Sequence, residues 1–181
     1  MKKNIFIFCF ACILTNTSFM TAQEEHLMHQ KIIVNRAAAL ITPTKGNSIH
    51  GVVTFEKTKK GIHVIANLMG LSPGKHGFHI HEFGDITSDD GSSAGGHFNP
   101  MNMPHSTPTS EKRHAGDMGN IEADDNGNAH LDYIDSVMEL DGNYSIVGHA
   151  VIVHMKEDDL TTQPTGNAGP RIGCGVIGIA K

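Results

Sequence analysis

The feature of this sequence that most limits its fold is a set of seven side chains of metal-ligand type between residues 79 and 154. These are His79, His81, His97, His105, His114, Asp117 and His154. Residues i and i+2 of a strand lie on one face, roughly 7 Å apart, so His79 and His81 can reach one metal. The next three histidines and Asp117 offer three nitrogens and an oxygen, which is a complete ligand set for zinc. The count therefore predicts two metals on one loop-and-sheet scaffold.

Apolar residues alternate with polar ones through most of the chain, which indicates strands rather than helices. Glycine-containing turn signals separate the alternating runs, as at Lys60-Gly61 and Asn126-Gly127. We predict strands near residues 33–42, 48–57, 61–68, 76–82, 117–124, 128–134, 145–154 and 172–179. This spacing predicts an all-β fold, an eight-stranded antiparallel sandwich or flattened barrel.

Two segments, residues 84–116 and about 155–170, have no usable periodicity. A structureless loop that long inside a compact domain is either functional or disordered. Three histidines in the first segment favour a functional loop, because metal bonds can offset the entropy lost on ordering it. We therefore expect two long functional loops and a single domain, residues 33–181.

The first 22 residues have the pattern of an export signal. Lys2 and Lys3 precede ten apolar residues at 5–14, and the segment ends in the small residue Ala22. Ten apolar residues are too few to cross a bilayer. We expect cleavage after Ala22, an N-terminal tail at 23–32, and export to the periplasm or the extracellular space. A lipoprotein acylated at Cys12 is the disfavoured alternative, because the apolar run would then be cut short.

The charge balance excludes one class of partner. The chain has 14 basic and 19 acidic side chains, and loss of the two leader lysines leaves 12 against 19, a net charge of −7. No basic cluster is present that would favour nucleic acid or anionic lipid. After the leader, no other apolar run is long enough for a transmembrane segment.

The residues around the ligands carry a family resemblance. The four segments read GKHGFHIHEFGD at 74–85, AGGHFNP at 94–100, RHAGDMGN at 113–120 and GNAGPRIGCGVIGI at 166–179. Together they resemble copper–zinc superoxide dismutase, and the resemblance extends from about residue 33 to the end of the chain. Four segments in the right order and spacing are far more specific than one His-x-His. The resemblance implies Greek-key connections between the strands.

The resemblance also implies a ligand set for each metal. It assigns one copper per subunit to His79, His81, His97 and His154, and one zinc per subunit to His97, His105, His114 and Asp117. Copper would cycle between two oxidation states while superoxide is converted to dioxygen and hydrogen peroxide, and His97 would bridge the metals and carry a proton. A non-catalytic copper carrier or metal-binding relative with the same fold is the alternative.

Three further residues match family positions with a role near the metals. Arg171 matches an arginine beside copper, where a permanently charged guanidinium can attract a small anion. Asp158 matches an aspartate that bonds ligands of both metals and orients them. Thr165 matches a threonine at the mouth of the substrate channel.

Cysteine use departs from the family. The family pairs the cysteine at the position of Cys174 with one six residues before the bridging histidine, where this chain has Gly91. One cysteine cannot close an internal bridge, so we expect Cys174 to be a small buried side chain. Family members also pair through different surfaces, so a monomer and a homodimer both fit the sequence.

Overall fold

The computed structural model describes residues 33–181, in which antiparallel strands account for all the regular structure except one short 3₁₀ turn at Ser92–Ala94. The strands are β1 Arg36–Pro43, β2 His50–Thr58, β3 Gly61–Met69, β4 Gly74–His81, β5 Asp117–Ala123, β6 Ala129–Asp135, β7 Ala150–His154, β8 Arg171–Val176 and β9 Gly178–Ile179. The predicted leader (1–22) and tail (23–32) lie outside the described residues and stay predictions.

The strands close into a barrel. Their order is β2-β3-β6-β5-β4-β7-β8-β1, and β1 also pairs with β2, so the first and last strands of the sheet meet. The two-residue β9 adds a second pairing to β1 after a break at residue 177. Strands β6 and β5 lie between the consecutive strands β3 and β4, which is a Greek-key arrangement. The predicted fold class, an eight-stranded antiparallel Greek-key barrel, is confirmed.

The barrel interior is built from the alternating apolar residues. Val53, Phe55 and Val64 are fully buried, and they belong to one continuous hydrophobic cluster inside the barrel. The β2–β3 hairpin depends on Gly61, whose φ is +133°. A Cβ at this position would lie 2.1 Å from the carbonyl oxygen of Asp135, so only glycine allows β3 to lie this close to β6.

The seventh strand differs from its prediction. It begins at Ala150 rather than at 145, because residues 146–149 form a turn. The backbone N–H of His149 donates to the carbonyl of Ile146 (3.2 Å), and Gly148 at φ +88° donates to the carbonyl of Ile177 (2.9 Å). Ile146 is fully buried in the barrel core, so its apolar character reflects packing of a loop and not strand alternation.

Strand β4 sorts its side chains between the barrel core and the metal-ligand face. Phe78 and Ile80 point into the core cluster, so the intervening His79 and His81 point outward. All four are buried, because the two long loops, residues 82–116 and 155–170, cover the outer face. Strand β4 of the barrel therefore positions His79 and His81, and the two long loops shield them from solvent.

Candidate metal centre

The outer faces of β4 and β7 and the long loop bring four histidines together. One ring nitrogen from each of His79, His81, His97 and His154 lies within 4.8 Å of the others, and all four residues are buried. We call this group the copper-side cluster. The Nε2 atoms of His81 and His154 are 3.4 Å apart.

Backbone carbonyls fix the orientation of two rings of the copper-side cluster. The Nδ1–H of His81 donates to the carbonyl of Gly95 (2.9 Å), and the Nδ1–H of His154 donates to the carbonyl of Gly169 (2.9 Å). Because a carbonyl can only accept, Nε2 of each ring keeps a free lone pair. These lone pairs are available to a metal between the rings.

A second cluster shares His97. The Oδ1 atom of Asp117 lies 2.9 Å from Nδ1 of His97, 2.9 Å from Nδ1 of His105 and 3.1 Å from Nδ1 of His114. We call these four residues the zinc-side cluster. Ligands at tetrahedral zinc, bonded at about 2.0–2.1 Å, lie about 3.3 Å from one another. The zinc-side separations are close to that value, with His97 Nδ1 and His114 Nδ1 3.3 Å apart.

Unpartnered nitrogens test whether these residues fit metal ions. Nδ1 of His79 and Nε2 of His97 are buried and have no hydrogen-bond partner. Such atoms are rare in folded proteins, because leaving them unpaired costs free energy. Both belong to the copper-side cluster, and imidazole nitrogen is a preferred ligand of copper and of zinc. The donor set therefore fits two metals that share His97, one at each ring nitrogen.

Asp158 connects the two clusters. Its Oδ2 accepts from Nε2 of His79 (2.8 Å) and its Oδ1 accepts from Nε2 of His105 (2.9 Å). It is 1 % exposed. Gly166 makes room for it, since a Cβ there would fall 1.7 Å from Oδ1 of Asp158. Asp158 thereby orients one ring from each cluster and leaves Nδ1 of both rings to face a metal.

Burial lowers the pKa of the copper-side histidines, whereas hydrogen bonds to carboxylates raise the pKa of His105 on the zinc side. Burial lowers the pKa of His79 to about 3 and that of His154 to about 4, and it also lowers the pKa of His81 and His97. Burial would lower the pKa of His105 too, but hydrogen bonds to Asp117 and Asp158 outweigh it and raise this pKa to about 9. The copper-side imidazoles are therefore neutral at pH 7, the form that binds metal.

Arg171 lies at the start of β8 beside the copper-side cluster. Its guanidinium donates to the carbonyls of Gly91 and Gly95 (2.6 Å to the latter), and Gly95 also accepts from His81. The side chain is half-buried. Two of its five N–H donors are used in these bonds, and the others are free to meet an anion.

The loop before His97 is held without a disulfide. Arg171 bonds to it at Gly91 and Gly95, and the backbone N–H of Lys45 donates to the carbonyl of Asp89 (2.8 Å). Cys174 is buried and free, and no other cysteine lies in residues 33–181. It packs with Ala94, Ala150 and Ile152 in a small cluster beneath this loop. Cys174 thus occupies the small apolar site that the sequence predicted.

One predicted site residue, Thr165, lies in the second long loop. Thr165 is half-buried in residues 155–170, directly before Gly166.

The sequence analysis did not predict a buried ion pair in which Nη2 of Arg113 lies 2.6 Å from Oδ2 of Asp135. The guanidinium also donates to the carbonyls of His114 and Asp117. An arginine directly before a predicted ligand was the available signal, but the sequence does not identify its partner on β6.

This chain is similar in sequence and fold to known proteins. The family model for copper/zinc superoxide dismutase matches residues 49–177. Superoxide dismutase (Cu-Zn) 3 of Arabidopsis thaliana is 48% identical over 151 residues, covering 80% of this chain and 90% of the relative. The extracellular superoxide dismutase (Cu-Zn) of Drosophila melanogaster is 45% identical over 156 residues, covering 81% and 86%. A crystal structure of the clock protein EA4 is 40% identical with a TM-score of 0.77, covering 84% of this chain and 99% of that one.

Proposed function

This chain belongs to the copper/zinc superoxide dismutase family, and on that premise we propose which of its residues carry out the reaction. The enzyme converts two superoxide anions and two protons into dioxygen and hydrogen peroxide, with copper and zinc as its cofactors. Copper, when bound, accepts and returns the single electron that the two half-reactions exchange. Binding and orienting the metals, attracting the substrate and moving a proton are tasks of the protein's side chains.

We assign copper to the copper-side cluster and zinc to the zinc-side cluster. The observation that carries this assignment is the orientation of the rings, with two buried, unpartnered nitrogens on the copper side. Asp117 gives the zinc side an anionic oxygen, whereas the copper side has only neutral nitrogens. A mixed oxygen and nitrogen set suits zinc, and four imidazoles suit copper in both oxidation states.

His97 has a second role as the carrier of a proton. Its Nδ1 lies 2.9 Å from Oδ1 of Asp117 on the zinc side, and its ring centroid is 4.1 Å from the ring centroid of His79 on the copper side. Nε2 is a basic atom in a buried site with no other partner. It can hold one proton there and donate it to the reduced oxygen species; a second proton from solvent completes hydrogen peroxide, which leaves the site as a neutral molecule.

Arg171 and Thr165 act on the substrate before the electron transfer. The half-buried guanidinium of Arg171 is close to the ring of His81, because both donate a hydrogen bond to the same carbonyl, that of Gly95. A fixed positive charge there attracts superoxide in a molecule whose net charge is negative. Thr165, half-buried in the second loop, limits entry to small anions.

The experiment that tests the assignment compares His81→Ala with His114→Ala, and uses the exposed His50→Ala as control. We expect His81→Ala to lose copper and all superoxide consumption while its circular dichroism is unchanged. His114→Ala should lose zinc first and loosen residues 82–116. Full activity of copper-loaded His81→Ala would refute the copper assignment.

We also infer that the chain is exported. The pattern of residues 1–22 supports a leader, and relatives from Drosophila melanogaster and Brugia pahangi are named extracellular superoxide dismutases. Within residues 33–181, no helix has the length and apolar character needed to cross a membrane. N-terminal sequencing of secreted protein should begin at Gln23, and an intact leader on it would overturn this proposal.

A homodimer is the assembly we propose. Leu40 and Val52 are directly opposite each other on β1 and β2, and they are 67% and 42% exposed. The β1–β8 register brings the exposed Val176 beside Leu40. Three apolar side chains on adjacent strands make a flat patch that a second copy can bury. Light scattering should give twice the chain mass, and Leu40→Glu should give a monomer.

A further inference from the structure

The side-chain amide of Gln163 pairs with the backbone of His105. The His105 N–H donates to Oε1 of Gln163 (2.8 Å), and Nε2 of Gln163 donates to the His105 carbonyl (2.8 Å). Two strands exchange hydrogen bonds in the same way. One side chain therefore satisfies both backbone groups of a zinc-side residue that lies 58 positions earlier in the chain.

A second amide fastens the same loop to the barrel. Nδ2 of Asn120, on β5, donates to the carbonyl of Asp158 (2.9 Å), and the N–H of Asp158 donates to Oδ1 of Asn120 (2.8 Å). Asp158 in turn reaches His79 and His105. The segment from Asp158 to Gln163 is thus held to the barrel at one end and to His105 at the other.

These contacts restrain His105 from three directions. Its backbone is bonded to Gln163, its Nε2 to Asp158, and its Nδ1 faces Asp117. Without the Gln163 amide, only the two ring contacts would hold the residue. The ring would then sample orientations in which Nδ1 does not face the zinc side, and outer contacts of this kind usually matter for metal affinity.

We propose that Gln163 is a positioning residue that holds His105 in its zinc-binding orientation. Through the same contact it ties the second long loop, with Thr165 two residues further on, to the zinc-side cluster. This inference rests on the proposed assignment of zinc to His105. It extends that assignment by naming a side chain that contacts no metal but controls how firmly one is held.

Three variants test this proposal in the full-length, copper- and zinc-loaded enzyme. Gln163→Ala removes both bonds to His105 and a third, weaker bond from Nε2 of Gln163 to the Thr161 carbonyl (3.2 Å). Gln163→Glu has the same shape and keeps the acceptor for the His105 N–H, but it turns a carboxylate oxygen toward the His105 carbonyl. Thr161→Ala, on the same exposed stretch, is the matched control. The measurement is zinc release to a chromogenic chelator, with copper content followed in parallel.

We expect zinc to leave Gln163→Ala roughly tenfold faster than wild type, with copper retained. Gln163→Glu should fall close to Gln163→Ala, and Thr161→Ala should match wild type. Cobalt substituted for zinc should show a changed visible spectrum in Gln163→Ala, which a general loss of stability would not produce. Wild-type zinc release and spectrum in Gln163→Ala would overturn the proposal.

A separate variant distinguishes this failure from failure of the zinc assignment. His105→Ala should abolish zinc binding if His105 is a zinc ligand. If His105→Ala keeps zinc, His105 is not a zinc ligand, and the proposed role of Gln163 is then wrong as well. If His105→Ala loses zinc while Gln163→Ala does not, only the positioning role is wrong.

Discussion

Arg171 donates from its guanidinium to the backbone carbonyl of Gly91, and so joins the start of β8 to the loop before His97. In the family that the sequence resembles, a disulfide joins these same two regions. Here a charged side chain makes the connection, and the same side chain stands at the copper-side cluster. The residue that anchors the loop is therefore also the one that we propose attracts the substrate.

The charge at position 171 should control the rate. Arg171→Glu should consume superoxide far more slowly than Arg171→Gln, because a negative charge repels the anion while a neutral amide only removes attraction. Both variants lose the guanidinium anchor, so the comparison isolates charge from loop attachment. Stopped-flow rates at low and high salt provide the measurement, and equal rates for the two variants would remove the electrostatic role.

The buried pair of Arg113 and Asp135 should be costly to break. Arg113→Met leaves Asp135 as an unpaired buried carboxylate and leaves the carbonyls of His114 and Asp117 without this donor. We expect a loss of about 3–5 kcal/mol in the free energy of unfolding. The double variant Arg113→Met with Asp135→Leu should recover part of it. Urea titration measures the free energy of unfolding of the single and the double variant. A decrease of less than about 1 kcal/mol in the single variant would contradict the prediction.

Reducing agent and zinc removal should have different effects on thermal stability. Cys174 is buried and free, so dithiothreitol has no internal bridge to break in residues 33–181. Removal of zinc takes away the cross-link that orders the long loop, and Tm should fall sharply. Differential scanning calorimetry with dithiothreitol, and separately with a zinc chelator, measures the two changes in Tm. A large drop with dithiothreitol alone would show that Cys174 pairs between chains.

Acid should destabilise the metal-free protein through its copper-side histidines. In the unfolded chain a histidine takes up a proton as the pH falls through about 6.5, whereas burial holds the folded pKa of His79 at about 3 and of His154 at about 4. The unfolded state binds more protons across this interval, so the stability that these two neutral imidazoles contribute is fully present above pH 6.5 and declines toward pH 4. His105, with its pKa raised to about 9, has the opposite sign: its contribution is fully present below about pH 6.5 and is lost as the pH rises toward 9.

Chemical unfolding of the metal-free protein at several pH values tests this prediction. The expected result is a steady fall in the free energy of unfolding between pH 6.5 and 4. The variant His154→Asn should have a shallower slope, because it removes one of the groups that take up a proton on unfolding. A flat profile for the wild type would contradict the assignment of buried, neutral imidazoles.

The parts of the structure that repeat locally could be predicted from the sequence. Alternation identified the strands, and the i, i+2 spacing of His79 and His81 indicated one shared face. Contacts that depend on register across the barrel could not be predicted in this way. Asp135 meets Arg113 only because β6 and the loop end lie side by side, and Gln163 meets His105 only because two irregular loops fold over the same face. Ile146 misled the prediction of β7, because a buried loop residue has the same apolar character as a strand residue.

Two residues shared between the metal sites have a thermodynamic consequence. His97 offers one nitrogen to each cluster, and Asp158 bonds one ring of each. Binding of one ion therefore orders side chains that the other site also needs in place. Binding of the second ion then costs less conformational entropy. Linkage makes the effect reciprocal: the factor by which zinc raises copper affinity equals the factor by which copper raises zinc affinity. The two ions should load cooperatively, and a half-loaded molecule should be the minor species at equilibrium.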